Sequence, residues 1–260
     1  MLMPSPAVVR PSQGITGDFL TALDPVRLAR AAGMEPDPWQ RDVLRSGSSR
    51  LLLNCSRQSG KSTVTSIASV HTALYEPGAL ILLLSPSLRQ STELFRKCLS
   101  VYRKSGRPVP ATAENALSLE LANGARIVSL PGHEETVRSF SGVRLIVIDE
   151  ASRVPNDLYV SVRPMLAVSG GRLIALSSPF GTRGWFYEAW RGPERWQRFE
   201  VPATLCPRIM PEFLEEERRA LGSFWFEQEY MCRFLDAQSA AFATADIEAA
   251  FDGEVETWSL

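Results

Sequence analysis

The segment at residues 50–63, RLLLNCSRQSGKST, constrains the fold of this chain more than any other. Its apolar run at residues 51–53 predicts a buried strand, and polar, turn-prone residues follow. After Gly60, Lys61 and Ser62, apolar residues near helical spacing predict a helix. A strand, a polar loop and a helix in this order are typical of a nucleotide triphosphate site, because loop N–H groups and the positive end of the helix both face a phosphate.

The residue types in this loop indicate how it would bind a nucleotide. Lys61 would reach the β- and γ-phosphates, and the Ser62 hydroxyl would ligand Mg²⁺. Cys55 stands where the usual pattern begins with Gly. We therefore expect Cys55 to adopt a backbone geometry that Gly adopts at a lower energetic cost. The alternative for the loop alone is a surface turn with an exposed lysine. The predicted nucleotide-binding residues of the loop are Cys55, Ser56, Arg57, Gln58, Ser59, Gly60, Lys61, Ser62 and Thr63.

A second motif, LIVIDE at residues 145–150, supports the same chemistry. Its four apolar residues predict a strand that is buried on both faces, as parallel sheets require. The strand ends in Asp149 and Glu150. Beside a phosphate loop, we expect Asp149 to hold Mg²⁺ together with Ser62, and Glu150 to be the catalytic carboxylate that polarises the attacking water. The alternative is a buried strand that ends in two solvated acids.

Composition is consistent with an enzyme core. The 260 residues are 45% hydrophobic, which allows one large core in one or two domains. The net charge of −1 excludes a polycation, so any nucleic-acid contact requires a local basic patch. The four cysteines are widely spaced and form neither a disulfide framework nor a metal-ligand pair, which suits a reducing cytoplasm. The first residues lack a signal-peptide core, and no apolar run is long enough to span a membrane.

Predicted strands and helices alternate along the chain, which favours an α/β fold with a parallel sheet. Helices are predicted at residues 18–32, with Phe19, Leu20, Leu23 and Leu28 on the apolar side, at 88–102, and around 212–219 with an end at Gly222. Further strands are predicted at residues 79–85, 117–121, 125–130, 145–148 and 172–177, with a hairpin at Asn123-Gly124.

Two further segments have candidate roles at a nucleotide site. Gln40, just upstream of the phosphate loop, has an amide that can donate to and accept from the adenine edge. Trp39 would brace the base or fill the core. Ser177 and Ser178 follow the predicted strand RLIALS, where their hydroxyls would sense the γ-phosphate or simply form a turn.

Arginine is the third candidate feature, because a γ-phosphate transition state requires added positive charge. Arg57 lies in the loop, Arg138 precedes the acidic strand, and Arg153 and Arg163 follow it. We name Arg57 and Arg138 as catalytic candidates, and Arg153 and Arg163 as the next ones.

Five segments together resemble, in order, the ATPase half of the large terminase subunit of tailed bacteriophages. They are NCSRQSGKST, SPSLRQSTELF, VRSFSGVRLIVIDEAS, LSSPFGTRGWFYEAW and FWFEQEYMCRF, and the resemblance covers residues 39–242. It implies a P-loop NTPase core with a mainly parallel central sheet flanked by helices, plus a small C-terminal linker subdomain. The implied boundaries are a flexible tail at residues 1–17, the core at 18–205, and the linker subdomain and tail at 206–260.

The resemblance also implies residue roles. Gln40 would contact adenine, and Ser177 to Pro179 would couple hydrolysis to movement. Glu229 would lie in the segment that packs the linker subdomain onto the core. Arg138 would act in the active site of the adjacent subunit.

The implied function is an ATP-driven motor with Mg²⁺ that moves double-stranded DNA into a procapsid. Its implied partners are DNA, the portal protein, the small terminase subunit and further copies that form a ring, with no membrane, in the host bacterial cytoplasm. Only DGEVETWSL follows Phe251, where the family's nuclease would begin, so nuclease activity is not expected. Two alternatives stay open: a helicase-like ATPase stimulated by nucleic acid, and a module that binds nucleotide without hydrolysing it.

Overall fold

A computed structural model describes residues 15–131, 137 and 139–236 of the chain. The helices are α1 Ile15–Leu23, α2 Pro25–Ala31, α3 Pro38–Arg45, α4 Lys61–Tyr75, α5 Leu88–Lys104, α6 Asn156–Val162, α7 Trp185–Arg191 and α8 Pro211–Glu229. The strands are β1 Arg50–Cys55, β2 Leu80–Ser85, β3 Ala111–Glu114, β4 Ser118–Leu121, β5 Arg126–Pro131, β6 Leu145–Asp149, β7 Arg172–Ser177 and β8 Gln197–Val201.

These eight strands form one sheet in the order β3-β4-β5-β2-β6-β7-β1-β8. The six strands from β5 to β8 in this order pair in parallel, while β3 and β4 add an antiparallel edge. The predicted hairpin is present, since Gly124 has a φ of 83° and the Asn123 Oδ1 accepts from the Ala125 N–H at 3.0 Å. The α/β class and the mainly parallel sheet are confirmed.

Both faces of the sheet are buried, because alternate residues of each central strand join different apolar cores. In β1, Leu51 and Leu53 pack in the core beneath α2 to α5, while Leu52 packs in the core on the opposite face. In β2, Leu83 and Leu84 divide in the same way. This two-sided burial explains why these strands are uninterrupted apolar runs in the sequence.

The order of the strands brings three chain segments together at one edge of the sheet. β7 lies between β6 and β1, and all three run in the same direction. Their carboxyl ends therefore place Cys55, Ser177 and Asp149 side by side. This edge is where open α/β sheets bind ligands.

The structure corrects the helix predicted at residues 18–32. Two helices form instead, because Asp24 caps α2 by accepting from the Val26 N–H at 3.1 Å, and Pro25 follows it. Of the predicted apolar side, Leu28 is buried, whereas Phe19, Leu20 and Leu23 are exposed.

The helical stretch α8 is interrupted at Gly222, where the sequence predicts a helix end. Gly222 has non-helical angles (φ 74°, ψ 167°), and the chain returns to helix until Glu229. Around this helix, Ala203, Leu214, Phe226 and Tyr230 form a small apolar cluster apart from the two main cores. The boundaries at residues 17 and 205 stay predictions. None of the described helices has the length and apolarity that a membrane span requires.

Candidate active site

The phosphate loop leaves the sheet after Cys55 and enters α4 at Lys61. The Cys55 side chain is fully buried, and its backbone continues β1 beside Val201 of β8. The left-handed positions of the loop are Gln58, with a φ of 58°, and Gly60, with a φ of 94°. The expectation that Cys55 adopts a glycine-like geometry is therefore wrong, because the sheet ladder extends through it.

The loop forms one wall of a cleft of about 830 Å³ at the carboxyl edge of the sheet. Of the predicted loop residues, Cys55, Ser56 and Ser59 are fully buried, and burial raises the pKa of the Cys55 thiol. The Ser59 hydroxyl stabilises the turn by donating to the Ser56 carbonyl at 2.9 Å. The residues that line the cleft are Arg57, Gln58, Gly60, Lys61, Ser62, Thr63, Gln90, Lys97, Glu150, Arg153 and Arg208.

The two sequence motifs meet in this cleft. The Lys61 Nζ lies 3.7 Å from the Glu150 Oε1, and the Ser62 hydroxyl donates to the Asp149 Oδ2 at 3.1 Å. Glu150 has a left-handed backbone, with a φ of 52°, and its N–H donates to the Asp149 Oδ1 at 3.0 Å. A non-glycine residue in this conformation is strained, and such strain often occurs at functional sites.

The Ser62–Asp149 pair fits a magnesium site. Burial raises the pKa of the Asp149 carboxyl, and the neighbouring Glu150 carboxylate raises it further. A buried carboxylate of this kind gains stability from a cation. Mg²⁺ prefers oxygen ligands, and in nucleotide sites it is held by one or two protein groups, phosphate oxygens and water. A hydroxyl and a carboxylate beside the predicted phosphate position provide these ligands.

Ser177 and Ser178 connect the acidic turn to the C-terminal helix. Both are buried, and the Ser152 hydroxyl lies 2.7 Å from the Ser177 hydroxyl and donates to the Ser178 carbonyl at 2.9 Å. On the other side, the Ser178 hydroxyl donates to the Glu229 Oε2 at 3.5 Å. Neither serine is among the described residues that line the cleft, so their role in sensing the γ-phosphate stays a prediction.

Arg57 connects the phosphate loop to Glu229. Its Nε donates to the Glu229 Oε2 at 2.7 Å, and its backbone N–H donates to the Glu229 carbonyl at 3.1 Å. The carboxylate of Glu229 therefore joins the end of α8 to both the phosphate loop and the segment after β7.

The two residues predicted to lie beside the nucleotide base are in the first turn of α3. Trp39 is buried, and its Nε1 has no hydrogen-bond partner among the described residues, so the side chain fills the core. Gln40 is also buried, and its Oε1 accepts from the Asp37 N–H at 2.9 Å. An ideal Cβ on Gly60 would lie 2.7 Å from the Gln40 Nε2, so the amide contacts the phosphate loop directly.

The other arginine candidates have different surroundings. The Arg153 guanidinium lies 3.9 Å from the centre of the Phe180 ring and also lines the cleft. Arg163 lies 5.4 Å from the Tyr159 ring centre, in a separate pocket. Arg138 lies outside the described residues.

Sequence reasoning did not identify Gln90, Lys97 and Arg208 as cleft residues. Gln90 and Lys97 are on α5, which follows the second predicted strand, so the topology could have suggested them. Arg208 is far along the chain from the loop and carried no signal.

Comparison with known proteins identifies the family. The family described as "Terminase large subunit, T4likevirus-type, N-terminal" matches residues 52–249. This chain belongs to that family. The matched residues include the whole phosphate loop and the two acidic residues Asp149 and Glu150.

Individual relatives agree with this result. The terminase large subunits of Thermus virus P23-45 and Thermus phage G20c are each 25% identical over 252 residues, which cover 83% of this chain. The chain spans 52% of the length of either relative.

Solved structures show the same fold. The large terminase ATPase domain of Thermus phage P74-26 matches with a TM-score of 0.70 at 21% identity, covering 80% of this chain and 97% of that domain. The large terminase of another thermophilic bacteriophage, solved in complex with ADP, matches with a TM-score of 0.63 at 13% identity, covering 76% of this chain and 54% of that one.

Proposed function

We propose that this chain is the ATP-hydrolysing motor domain of a phage terminase, which drives double-stranded DNA into the procapsid. The observation that supports this most directly is the meeting of Lys61, Ser62 and Glu150 in one polar cleft, with the buried Asp149 carboxylate bonded to Ser62 behind its wall. Glu150 argues for hydrolysis over binding alone, because a nucleotide-binding module does not need a water-activating carboxylate. Family membership supports a role in DNA packaging, and the ADP complex of the thermophilic phage terminase supports the nucleotide.

In the proposed mechanism, phosphate binding begins at the loop. The backbone N–H groups at the start of α4 would face the phosphates, and the Lys61 ammonium would contact the β- and γ-phosphate oxygens. Ser62 and Asp149 would hold Mg²⁺, which neutralises charge on the phosphates when bound. As Lys61 turns to the phosphates, Glu150 loses its contact with the ammonium and can accept a proton from the attacking water.

The proposed coupling path starts at the acidic turn. A movement of Glu150 would displace the neighbouring Ser152, which contacts Ser177 and Ser178. Ser178 in turn contacts Glu229 at the end of α8, so the displacement would reach that helix. The C-terminal part of the chain, the proposed linker subdomain, would then move relative to the loop. The proposed setting is a ring of copies on the portal, with the small terminase subunit as a further partner, in the host cytoplasm.

Steady-state phosphate release, measured with and without duplex DNA and portal protein, tests this function. We expect ATP hydrolysis that increases when portal and DNA are both present. Nucleotide binding without phosphate release under all conditions would favour a binding module instead. A helicase-like ATPase is distinguished by strand separation on a forked duplex, because a packaging motor moves the intact duplex.

Arg138 is proposed as the arginine supplied to the neighbouring subunit. The test mixes Arg138→Ala protein that has an intact Glu150 with Glu150→Gln protein that has an intact Arg138. Mixed rings should recover activity, because some sites then receive both groups, and such an arginine contributes about 10³–10⁵-fold in related reactions. No recovery in rings shown to be mixed would contradict delivery between subunits, and Arg153, which lines the same cleft, is the next candidate.

A further inference from the structure

Helix α1 is held against α4 by polar groups. The His71 Nε2 lies 2.9 Å from the Thr21 carbonyl, and the Tyr75 hydroxyl donates to the Asp18 Oδ1 at 2.9 Å. The Thr21 side chain is buried, and its hydroxyl donates to the carbonyl of Gly17 within the helix at 2.9 Å. The side of α1 that faces α4 is therefore polar.

The opposite side of α1 is apolar and faces solvent. Phe19 and Leu23 lie one helical turn apart on this side and are 63% and 67% exposed, with Leu20 beside them at 40%. We call these three side chains the knob of α1. A surface helix normally turns its apolar stripe toward the core, so this reversed arrangement indicates a contact surface.

A second surface, around α6, has hollows that an apolar knob can fill. Val160 of α6 is 64% exposed and lines two neighbouring cavities of about 480 and 410 Å³. Phe140 and Met165 contribute to the first cavity, and Tyr159 and Trp185 to the second. We call Val160 together with these two cavities the α6 surface.

We infer that the knob of α1 docks on the α6 surface of a second copy of this chain. Helix α1 lies against α4, on the side of the first core, whereas α6 packs in the core on the opposite face of the sheet. One chain therefore cannot join its own two surfaces. A contact between two different surfaces leaves each copy with one of them available, so copies add head to tail and form a ring if the rotation closes. This inference rests on the proposed function and names the surfaces that join its proposed ring.

The chemistry of the two surfaces supports this pairing. The described residues that line the first cavity are all uncharged, which suits an apolar knob. Arg163, at the end of α6, is exposed, and α1 contains Asp18 but no lysine or arginine. An ion pair between Asp18 and Arg163 would fix the direction of α1 along α6. Of the two carboxylates in the second cavity, Glu194 already accepts from the Trp196 Nε1 at 3.0 Å, and Glu188 lies on α7.

Disulfide cross-linking between two variants of the whole chain, Leu23→Cys and Val160→Cys, tests the pairing. The chain's own four cysteines are buried, so they should not react. With a mild oxidant, a mixture should give cross-linked pairs that contain one copy of each variant, whereas either variant alone should give none. Pairs formed by Leu23→Cys alone would show that α1 meets α1, and would overturn the inference. So would a mixture that associates without forming pairs.

Sedimentation of the whole chain measures the strength of the contact. Phe19→Asp and Val160→Asp should each weaken self-association at least about 30-fold, the effect of losing a central interface side chain. The matched control is Leu205→Asp, which should change nothing, because Leu205 is 57% exposed and belongs to neither surface. All three positions are exposed, so the melting temperature should stay the same. Equal weakening by all three variants would overturn the inference.

Two further outcomes would also overturn it. If Phe19→Asp weakens association and Val160→Asp does not, the knob has another partner. If the chain stays monomeric at every concentration, both alone and with portal protein, the knob does not bind a second copy. Neither experiment measures ATP turnover, so a chain that associates in this way without hydrolysing ATP would refute the proposed function and leave the contact in place.

Discussion

The proposed phosphate end of the cleft and the proposed base end beside it are built in different ways. The phosphate end is formed by two continuous segments, the loop before α4 and the end of β6, which the parallel sheet places side by side. The base end is assembled from three separate segments, through Asp37 and Gln40, Gly60, and Arg208. The first arrangement joins neighbouring strands of one sheet, while the second includes Arg208 from the C-terminal part of the chain.

If this contrast is correct, the largest effect comes from Lys61→Ala. We expect turnover to fall by at least about 100-fold, with weaker nucleotide binding, because a donor aimed at the phosphates is lost. Phosphate release and ADP calorimetry on the same preparation measure both quantities. Near-normal turnover in the variant would contradict the assignment of the phosphate end.

Glu150→Gln should separate catalysis from binding at the same end. The amide cannot accept a proton, so we expect turnover to fall by about 10²–10⁴-fold. Binding of ATP should remain, since Lys61 and Ser62 are intact. Stopped-flow binding and single-turnover hydrolysis check this result, and normal hydrolysis would mean that another residue activates the water.

Asp149→Asn should weaken metal binding when nucleotide is present, but should stabilise the protein when nucleotide and metal are both absent. With nucleotide bound, the Mg²⁺ concentration for half-maximal turnover should rise roughly tenfold or more, because a metal ligand is weakened. Without nucleotide and metal, the melting temperature should rise, since the variant removes a buried carboxylate beside Glu150. A magnesium titration of turnover and thermal unfolding in chelator measure these effects. An unchanged magnesium requirement would exclude Asp149 as a ligand.

Arg208→Ala probes the base end and should give the smallest effect. We expect KM for ATP to rise about threefold to tenfold with kcat nearly unchanged, because the side chain orders groups that bind the nucleotide and not those that react. Steady-state kinetics with excess Mg²⁺ provide the test. A loss of kcat of the size expected for Glu150→Gln would show that the two ends do not act separately.

The same contrast explains what could be predicted from the sequence. The strands of the sheet and the loop were predictable because apolar runs bounded by turn residues are local signals. Four of the site residues lie at the ends of elements that a parallel sheet must align, beside these local patterns. They are Lys61, Ser62, Asp149 and Glu150. All four lie together in the structure.

Other features depended on contacts that the sequence does not display. Arg208 lies 171 positions from Asp37 along the chain, and nothing in its neighbours indicates that pairing. The Cys55 geometry was predicted wrongly because the extra length of β1 depends on β8, an edge strand without a strong pattern. The residues Asp24-Pro25 indicate the break between α1 and α2, although the apolar spacing on both sides predicts one helix.

A crystal structure of the chain with Mg²⁺ and a non-hydrolysable ATP analogue tests the central claim most directly. The account predicts the γ-phosphate against the Lys61 ammonium, a metal held by Ser62 and Asp149, and a water between Glu150 and the phosphorus atom. A nucleotide bound elsewhere, or one in this cleft with its phosphates away from Lys61 and its metal away from Asp149, would contradict it.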